Sequence, residues 1–146
     1  MRTRLWSLTL SIFVSLAAVA PALADPDPAM PAKVSDQIVA DLAKTDLDAL
    51  AAKTKKYMGE DVAGRIANSF ASIKNLGNSQ YTELVYSRDY GTKEKDIIYK
   101  IDFDKAFAYV RFLWQIDNGD WHLVYLTYKT ENDLPFPSGW EHIYPK

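Results

Sequence analysis

Two stretches in the first half of the chain place apolar residues at helical spacing. Over residues 34–58, "VSDQIVADLAKTDLDALAAKTKKYM", apolar positions return every three or four residues, which predicts helix. Thr45 and Asp48 form a capping-box-like pair, so we expect this helix to break in two at Thr45. A second stripe predicts a helix over 61–76 that stops at Gly77. Its apolar positions are Val62, Ile66, Phe70, Ile73 and Leu76.

Beyond Gly77 the hydrophobic period changes from 3.6 to two, and β-branched and aromatic residues become frequent. This pattern indicates a run of antiparallel strands joined by short turns. The Asn118-Gly119 pair favours a two-residue hairpin turn, and Asp104-Lys105 is read as a second one. The predicted strands cover 81–88, 96–103, 107–117 and 120–128.

The two turns predict the register of the strands. A two-residue loop at Asn118-Gly119 places Trp114 opposite Leu123, Phe112 opposite Tyr125 and Val110 opposite Thr127. The Asp104-Lys105 turn places Tyr99 opposite Val110 in the same way. One face of the sheet is then apolar and aromatic, and includes Ile97, Tyr99, Ile101, Val110, Phe112, Trp114, Ile116, Trp121, Leu123 and Tyr125. The other face is mixed, with Tyr109, Arg111, Leu113, Gln115, His122, Val124, Leu126 and Tyr128.

The ends of the chain differ in character from this central pattern. Residues 1–24 have two arginines, an apolar run and Ala22-Leu23-Ala24, which predicts a secretory signal peptide cut after Ala24. A membrane anchor is the rival reading, but the run over about 5–20 is shorter than the ~20 apolar residues of a spanning helix. Residues 25–33 hold three prolines and predict an extended leader, with order starting near Ser35. Residues 131–146 predict an irregular tail with Phe136, Trp140 and Tyr144 as surface anchors.

Charge and composition narrow the class of partner and the compartment. The net charge of −2 becomes more negative when Arg2 and Arg4 leave with the signal peptide, which argues against nucleic acid or an anionic membrane as the main partner. The chain has no cysteine, so neither disulfides nor thiol acylation are expected, and no membrane anchor should remain after cleavage. We therefore expect a periplasmic or secreted protein with one domain over 34–130, stabilised by an ordinary core.

The order of elements, helices followed by an antiparallel meander, predicts the α+β class, with N-terminal helices packed on a curved antiparallel sheet. Four segments carry a resemblance to a known superfamily: "DLAKTDLDAL", "IANSFASIKNLG", "IIYKIDFDKAFAYVRFLW" and "DNGDWHLVYLTY". Over about residues 33–129 the chain resembles small exported bacterial domains of unknown function in the nuclear-transport-factor-2-like (cystatin-like) superfamily. The resemblance implies a cone that opens between sheet and helices. The superfamily includes isomerases, dehydratases, ligand binders and interaction modules, and no catalytic residue is carried over from it.

The aromatic face allows two readings. Core packing is the default, because helices laid on four strands need a large apolar area. Alternatively, the helices leave part of the face uncovered and form a cavity for a small apolar ligand. The lining of that cavity would come from Tyr99, Phe112, Trp114, Trp121 and Tyr125.

The mixed face allows two readings as well: a solvated surface, or a contact surface for a second copy or a periplasmic partner protein. The candidate contact residues are Tyr109, Arg111, His122, Leu126 and Tyr128. His122 is expected to be an ordinary half-exposed histidine, since a general base also needs a partner and a pocket. Residue spacing predicts no metal site and no cofactor.

These observations predict an exported, non-enzymatic accessory protein that binds a small apolar ligand or a partner protein. Two alternatives stay open. The first is an isomerase or dehydratase that uses the cavity, with Tyr99, Asp102 or Tyr125 near its substrate. The second is a purely structural dimerisation module whose open sheet faces pack together.

Overall fold

A computed structural model describes residues 25–130. Three α-helices and a short 3₁₀ helix precede four strands, and the strands form one antiparallel meander in the order β1-β2-β3-β4. The predicted α+β architecture of N-terminal helices on a meander sheet is therefore confirmed. The signal peptide and the anchors Phe136, Trp140 and Tyr144 lie outside the described residues. The elements are α1 (Met30–Ala43), α2 (Leu47–Met58), α3 (Glu60–Phe70), the 3₁₀ helix (Ala71–Leu76), β1 (Ser79–Tyr90), β2 (Glu94–Phe103), β3 (Phe107–Asp117) and β4 (Asp120–Lys129).

Helix α1 begins at Met30, earlier than the start near Ser35 that the prolines suggest. Pro31 lies in the first turn of the helix, where its missing N–H has no intrahelical partner to lose. The carboxylate of Asp27 accepts a hydrogen bond from the backbone N–H of Ala29 at 2.9 Å, just ahead of that turn. The reading of residues 25–33 as an extended leader is wrong from Met30 onward, since proline in a first turn favours a helix.

The break between α1 and α2 is where the sequence predicts it, but a different residue caps α2. Asp46 is the N-cap, and its side chain accepts from the N–H of Ala49 at 3.0 Å. Thr45 adopts a positive φ of 55° in the connection, so the expected Thr45 cap is wrong. The helix predicted over 61–76 is α3 followed by the 3₁₀ helix, and Gly77 ends it with a φ of 93°.

The β3–β4 hairpin follows the predicted register from its turn as far as Leu123. Asn118 and Gly119 both have positive φ, 51° and 86°, as a two-residue hairpin turn requires. Trp114 pairs with Leu123 as predicted, but the next pair joins Leu113 to Tyr125. Val124 is thus the extra residue of a β-bulge. The predicted pairing of Phe112 with Tyr125 is wrong, because beyond the bulge Phe112 pairs with Leu126.

The bulge exchanges the faces of the residues that follow it. Tyr125 is 45% exposed and shares the face of Leu113, whereas Leu126 is buried on the same side as Phe112. Tyr128, paired with Val110, joins Leu126 there. This exchange keeps an aliphatic side chain in the core and a phenol hydroxyl in water, which an unbroken register would reverse. The pairing of β2 with β3, including Tyr99 with Val110, is as predicted.

The helices cover one side of the sheet, which we call the helix face. α1 packs on β2, and α2 packs on β4 and against α3. The core between the two layers contains Phe112 and Trp114, both fully buried, and the ring of Tyr57 from α2 meets Trp114 edge-on with centroids 5.4 Å apart. Within residues 25–130 no element covers the opposite side, which we call the open face.

Candidate functional site

Four residues predicted to line a ligand cavity lie in the core of the helix face. The indole N–H of Trp114 donates to Ser35 Oγ at 3.0 Å, and that of Trp121 donates to the carbonyl oxygen of Asp27 at 3.0 Å. The hydroxyl of Tyr99 donates to the Asp36 carboxylate. Burial, followed by this hydrogen bond, raises the pKa of Tyr99 well above its usual value. The polar groups of these three side chains are therefore directed at α1 and the residues just before it.

Phe112, the fourth of these residues, is fully buried and meets the Tyr99 ring edge-on, with centroids 6.0 Å apart. Tyr125, the fifth predicted cavity residue, lies on the open face and is not brought together with the others. The helix face thus joins four of the five predicted residues in a packed layer.

The open face is organised as rows of side chains that cross the four strands. Residues paired between neighbouring strands of an antiparallel sheet lie on the same face, so the register identifies each row. Three neighbouring rows are Tyr86–Ile98–Arg111–Thr127, Arg88–Asp96–Leu113–Tyr125 and Tyr90–Glu94–Gln115–His122.

An ion pair between Arg111 and Asp96 lies at the centre of these rows. Arg111 Nε donates to Asp96 Oδ1 at 3.0 Å and its Nη2 donates to Oδ2 at 2.7 Å, which is the two-point geometry of a guanidinium on a carboxylate. The Asp96 side chain is only 1% exposed although it lies on the open face, whereas that of Arg111 is 21% exposed. The hydrogen bonds that Arg111 donates to Asp96 raise the pKa of its guanidinium. The pair therefore holds Arg111 in one position with part of its surface reachable from solvent.

Tyrosine side chains surround this pair. Tyr86 is 4% exposed, and its hydroxyl lies 3.2 Å from that of Tyr90. Burial is the main reason that the pKa of Tyr86 is raised to about 12; the Tyr90 hydrogen bond adds to the rise and Arg88 opposes it. The guanidinium of Arg88 lies 4.9 Å from the centre of the Tyr90 ring. Arg111 is 6.0 Å from the centre of the Tyr125 ring, so each arginine lies near an aromatic face.

The residues predicted for partner binding divide between the two faces. Arg111 lies on the open face with Tyr109, whose ring meets Phe107 edge-on at 5.4 Å, and with the exposed His122 beside Gln115. Leu126 and Tyr128 lie instead on the helix face, because of the bulge at Val124. Tyr128 packs on Phe70 and its hydroxyl is hydrogen-bonded to that of Ser72.

Asp96, Tyr86 and Tyr90 are the open-face residues that sequence reasoning missed. The β2–β3 register, correctly predicted, places Ile98 opposite Arg111, so Asp96 is its diagonal neighbour. Long side chains reach diagonal neighbours in a sheet. An acidic residue two positions along the strand from the residue that faces an arginine is therefore the signal that could have predicted the Arg111–Asp96 pair. Tyr86 and Tyr90 depend on the bulge at Val85 between the pairs of Leu84 and Tyr86, for which the sequence has no comparable signal.

Residues 25–130 were searched for a metal site and for a membrane-spanning helix, and neither was found. No three His, Cys, Asp or Glu side chains in this part of the chain gather where they could hold one metal ion. None of its helices has the length and apolar character needed to cross a membrane.

Comparisons with protein-family models, curated proteins and solved structures gave no match to this chain. The α+β domain with its helices packed on a four-stranded meander is established by the structure itself, and the superfamily resemblance stays a prediction.

Proposed function

We propose that this chain is an exported, non-enzymatic binding module that holds a partner protein on the open face of its sheet. The observation that carries the proposal is the Arg111–Asp96 pair, which is two-point, largely buried and central to a face that no described helix covers. Breaking such a pair is costly, so it presents Arg111 in a fixed position. A fixed cation among aromatic rings is typical of the residues that dominate protein–protein contacts.

The composition of the open face supports a protein as the partner. Tyr81, Tyr90 and Tyr125 are 57%, 38% and 45% exposed, so much of each ring is accessible. Tyrosine contributes a large contact area for a small loss of side-chain entropy, and tyrosine and arginine are enriched in protein interfaces. A sheet surface with its side chains in rows is suited to another protein surface, whereas small molecules prefer concave sites.

The small-ligand alternative on the aromatic face has less support. The cone implied by the superfamily resemblance would need free polar groups directed into a cavity. Trp114, Trp121 and Tyr99 instead donate to Ser35, to Asp27 and to Asp36 respectively. A cone with a ligand cavity stays a prediction that rests on the superfamily resemblance.

The enzymatic alternative requires Tyr99, Asp102 and Tyr125 to lie around one substrate cavity. Tyr99 is buried on the helix face, whereas Asp102 lies on the open face and forms an ion pair with Lys100 at 2.7 Å. Tyr125 is on the open face too, but it pairs with Leu113, whereas Asp102 pairs with Phe107 at the start of β3. Since the three do not share a cavity, a binding role is favoured over an isomerase or dehydratase.

Site-specific photo-crosslinking in the exporting cell tests the proposal. A photoreactive phenylalanine analogue replaces Tyr125 or Tyr90 in the full-length chain, and Leu84 serves as the matched control because it is 50% exposed but pairs with Tyr99 on the helix side. We expect one discrete heavier product from Tyr125 and Tyr90 and none from Leu84. Equal products from all three positions, or none from either tyrosine position, would overturn the proposal.

The mass of the crosslinked product shows whether the partner is a different protein or a second copy of this chain. A product of twice the chain mass, together with a dimeric mass by light scattering, would replace the proposal by the structural dimerisation alternative. A product with any other mass, identified by sequencing its peptides, would support a partner protein.

A further inference from the structure

A cavity of about 570 Å³ lies where the end of α2, the start of α3 and the middle of β4 meet. Its volume falls in the range of small-molecule sites, roughly 300–1,000 Å³. It does not include the Arg111–Asp96 pair, although His122 of the open face reaches its lining, and it does not depend on the function proposed for that face. The described residues that line it are Lys55, Lys56, Tyr57, Met58, Gly59, Val62, His122, Leu123 and Val124.

The bulge in β4 helps to form this cavity. Val124 is the extra residue of the bulge and is 45% exposed, and it lines the cavity instead of continuing the strand's alternation. Bulges commonly redirect a side chain beside a site. Gly59 joins α2 to α3 with a φ of 91°, and apart from its chain neighbours no atom lies within 4 Å of where its Cβ would be, so there is open space beside this connection.

The lining combines an apolar floor with a cationic rim. Tyr57, Met58 and Val62 are half-buried, so their apolar surface is only partly covered by the fold. Two lysines and His122 belong to the lining, and none of its described members is a carboxylate. Lys55 Nζ lies 2.6 Å from Glu60 Oε1 and is therefore already paired.

Lys56 is the cation best placed to meet a ligand. Its Nζ lies 5.0 Å from the centre of the Tyr57 ring, at the border between the rim and the apolar floor. An ammonium group beside uncovered apolar surface complements a molecule with an anionic head and a hydrocarbon chain.

We propose that this cavity binds a free amphiphilic anion, such as a medium-chain fatty acid. The hydrocarbon chain lies on Tyr57, Met58, Val62 and Val124, and the head group pairs with Lys56 at the rim, with His122 beside it. Apolar burial supplies most of the affinity, because an exposed ion pair contributes little by itself.

Calorimetric titration of dodecanoate into protein expressed from the full-length sequence tests this site. We expect saturable binding below the micelle concentration, weakened about tenfold or more by Val124→Asp, which puts a charge against the hydrocarbon chain of the ligand. Tyr125→Asp is the matched control, since Tyr125 is the next residue and equally exposed at 45% but is absent from the lining. Equal losses in the two variants, or no saturable binding, would overturn the proposal.

Two further measurements test whether Lys56 binds the anionic head group and whether the ligand is a free molecule or part of a membrane. Lys56→Glu should weaken dodecanoate but leave dodecanol little changed, whereas Lys74→Glu, on the 3₁₀ helix, should change neither. Binding to phosphatidylglycerol vesicles without binding to free dodecanoate would overturn the site in favour of a membrane surface. Tyr125→Asp also separates the two proposals, because it should abolish the open-face crosslink from Tyr90 while leaving dodecanoate binding intact.

Discussion

The indole nitrogen of Trp114 in β3 donates to the hydroxyl of Ser35 in α1 at 3.0 Å, and both side chains are fully buried. This contact joins the first helix to the third strand across the core. It explains how a polar residue is accommodated on the buried side of α1, since a buried hydroxyl needs a partner.

Ser35→Ala should lower the free energy of unfolding by about 1–3 kcal/mol, because it leaves a buried indole N–H without an acceptor. Urea unfolding measures the change. Ser69→Ala is the control, since the Ser69 hydroxyl is exposed and donates to the Arg65 carbonyl oxygen within its own helix. In a Trp114→Phe background the same Ser35 change should cost much less. An equal cost in both backgrounds would contradict the pairing.

Removing either member of the Arg111–Asp96 pair should have unequal effects. Arg111→Ala leaves a carboxylate that is 1% exposed without a partner, whereas Asp96→Ala leaves a guanidinium that is 21% exposed and reaches water. We expect Arg111→Ala to cost about 3–5 kcal/mol, the usual cost of leaving a buried charge unpaired, and Asp96→Ala to cost less. Denaturant unfolding of both variants tests this, and the reverse order would contradict the burial described for Asp96.

Stability should fall in alkaline solution because of two buried tyrosines. The pKa of Tyr86 is raised to about 12 from an ordinary value of 10, and that of Tyr99 is raised as well. A raised pKa means that the folded state favours the neutral phenol, so this stabilisation is complete below pH 10 and is lost as the pH rises toward 12. Tyr86→Phe should flatten the decline in thermal or urea stability over that interval. An unchanged slope in the variant would refute this assignment.

Gly77→Ala should destabilise the protein for two separate reasons. Gly77 has a φ of 93°, and a Cβ placed there would lie 2.8 Å from the Cβ of Asp104. That neighbour cannot easily move, because its carboxylate accepts from the N–H of Asn78 at 2.9 Å and from Gln80 at 2.6 Å. A left-handed conformation costs a non-glycine residue about 1–3 kcal/mol before the clash is added.

Gly64→Ala is the matched control for this substitution. Gly64 lies inside α3 with open space around the position of its Cβ, so the same change should stabilise the helix by about 0.5–1 kcal/mol. Urea unfolding of both variants measures the change in the free energy of unfolding, which should fall for Gly77→Ala and rise for Gly64→Ala. A loss of similar size at both positions would mean that Gly77 is not constrained as described.

Deletion of Val124 should be tolerated better than deletion of Leu113. Without Val124, Leu123 and Leu126 keep the helix face and Tyr125 keeps the open face, so the regular alternation returns. Loss of Leu113 has no bulge to absorb it, and it would turn either Phe112 or Trp114 out of the core. Near-ultraviolet circular dichroism and unfolding transitions compare the two. A cooperative fold after Leu113 deletion but not after Val124 deletion would contradict the bulge.

Local signals were sufficient for most of the fold. The change of period at Gly77 separates helices from strands, and the positive-φ turn at Asn118-Gly119 sets the hairpin register as far as Leu123. Those signals depend on neighbours in the chain, so one sequence contains them. The start of α1 was missed because a proline is read as a helix breaker unless its place in the first turn is known.

The candidate sites depended on contacts that no local signal contains. Sequence alone determined the α+β class, the β2–β3 register and the packing of Tyr99, Phe112 and Trp114 on one face. Only the tertiary structure decided that Val124 forms a bulge, that Tyr125 and Leu126 therefore exchange faces, and that Asp96 is buried under Arg111. The reason is physical: alternation along a strand is a local property, whereas the place where a strand admits an extra residue is chosen by how all the side chains of the core pack together.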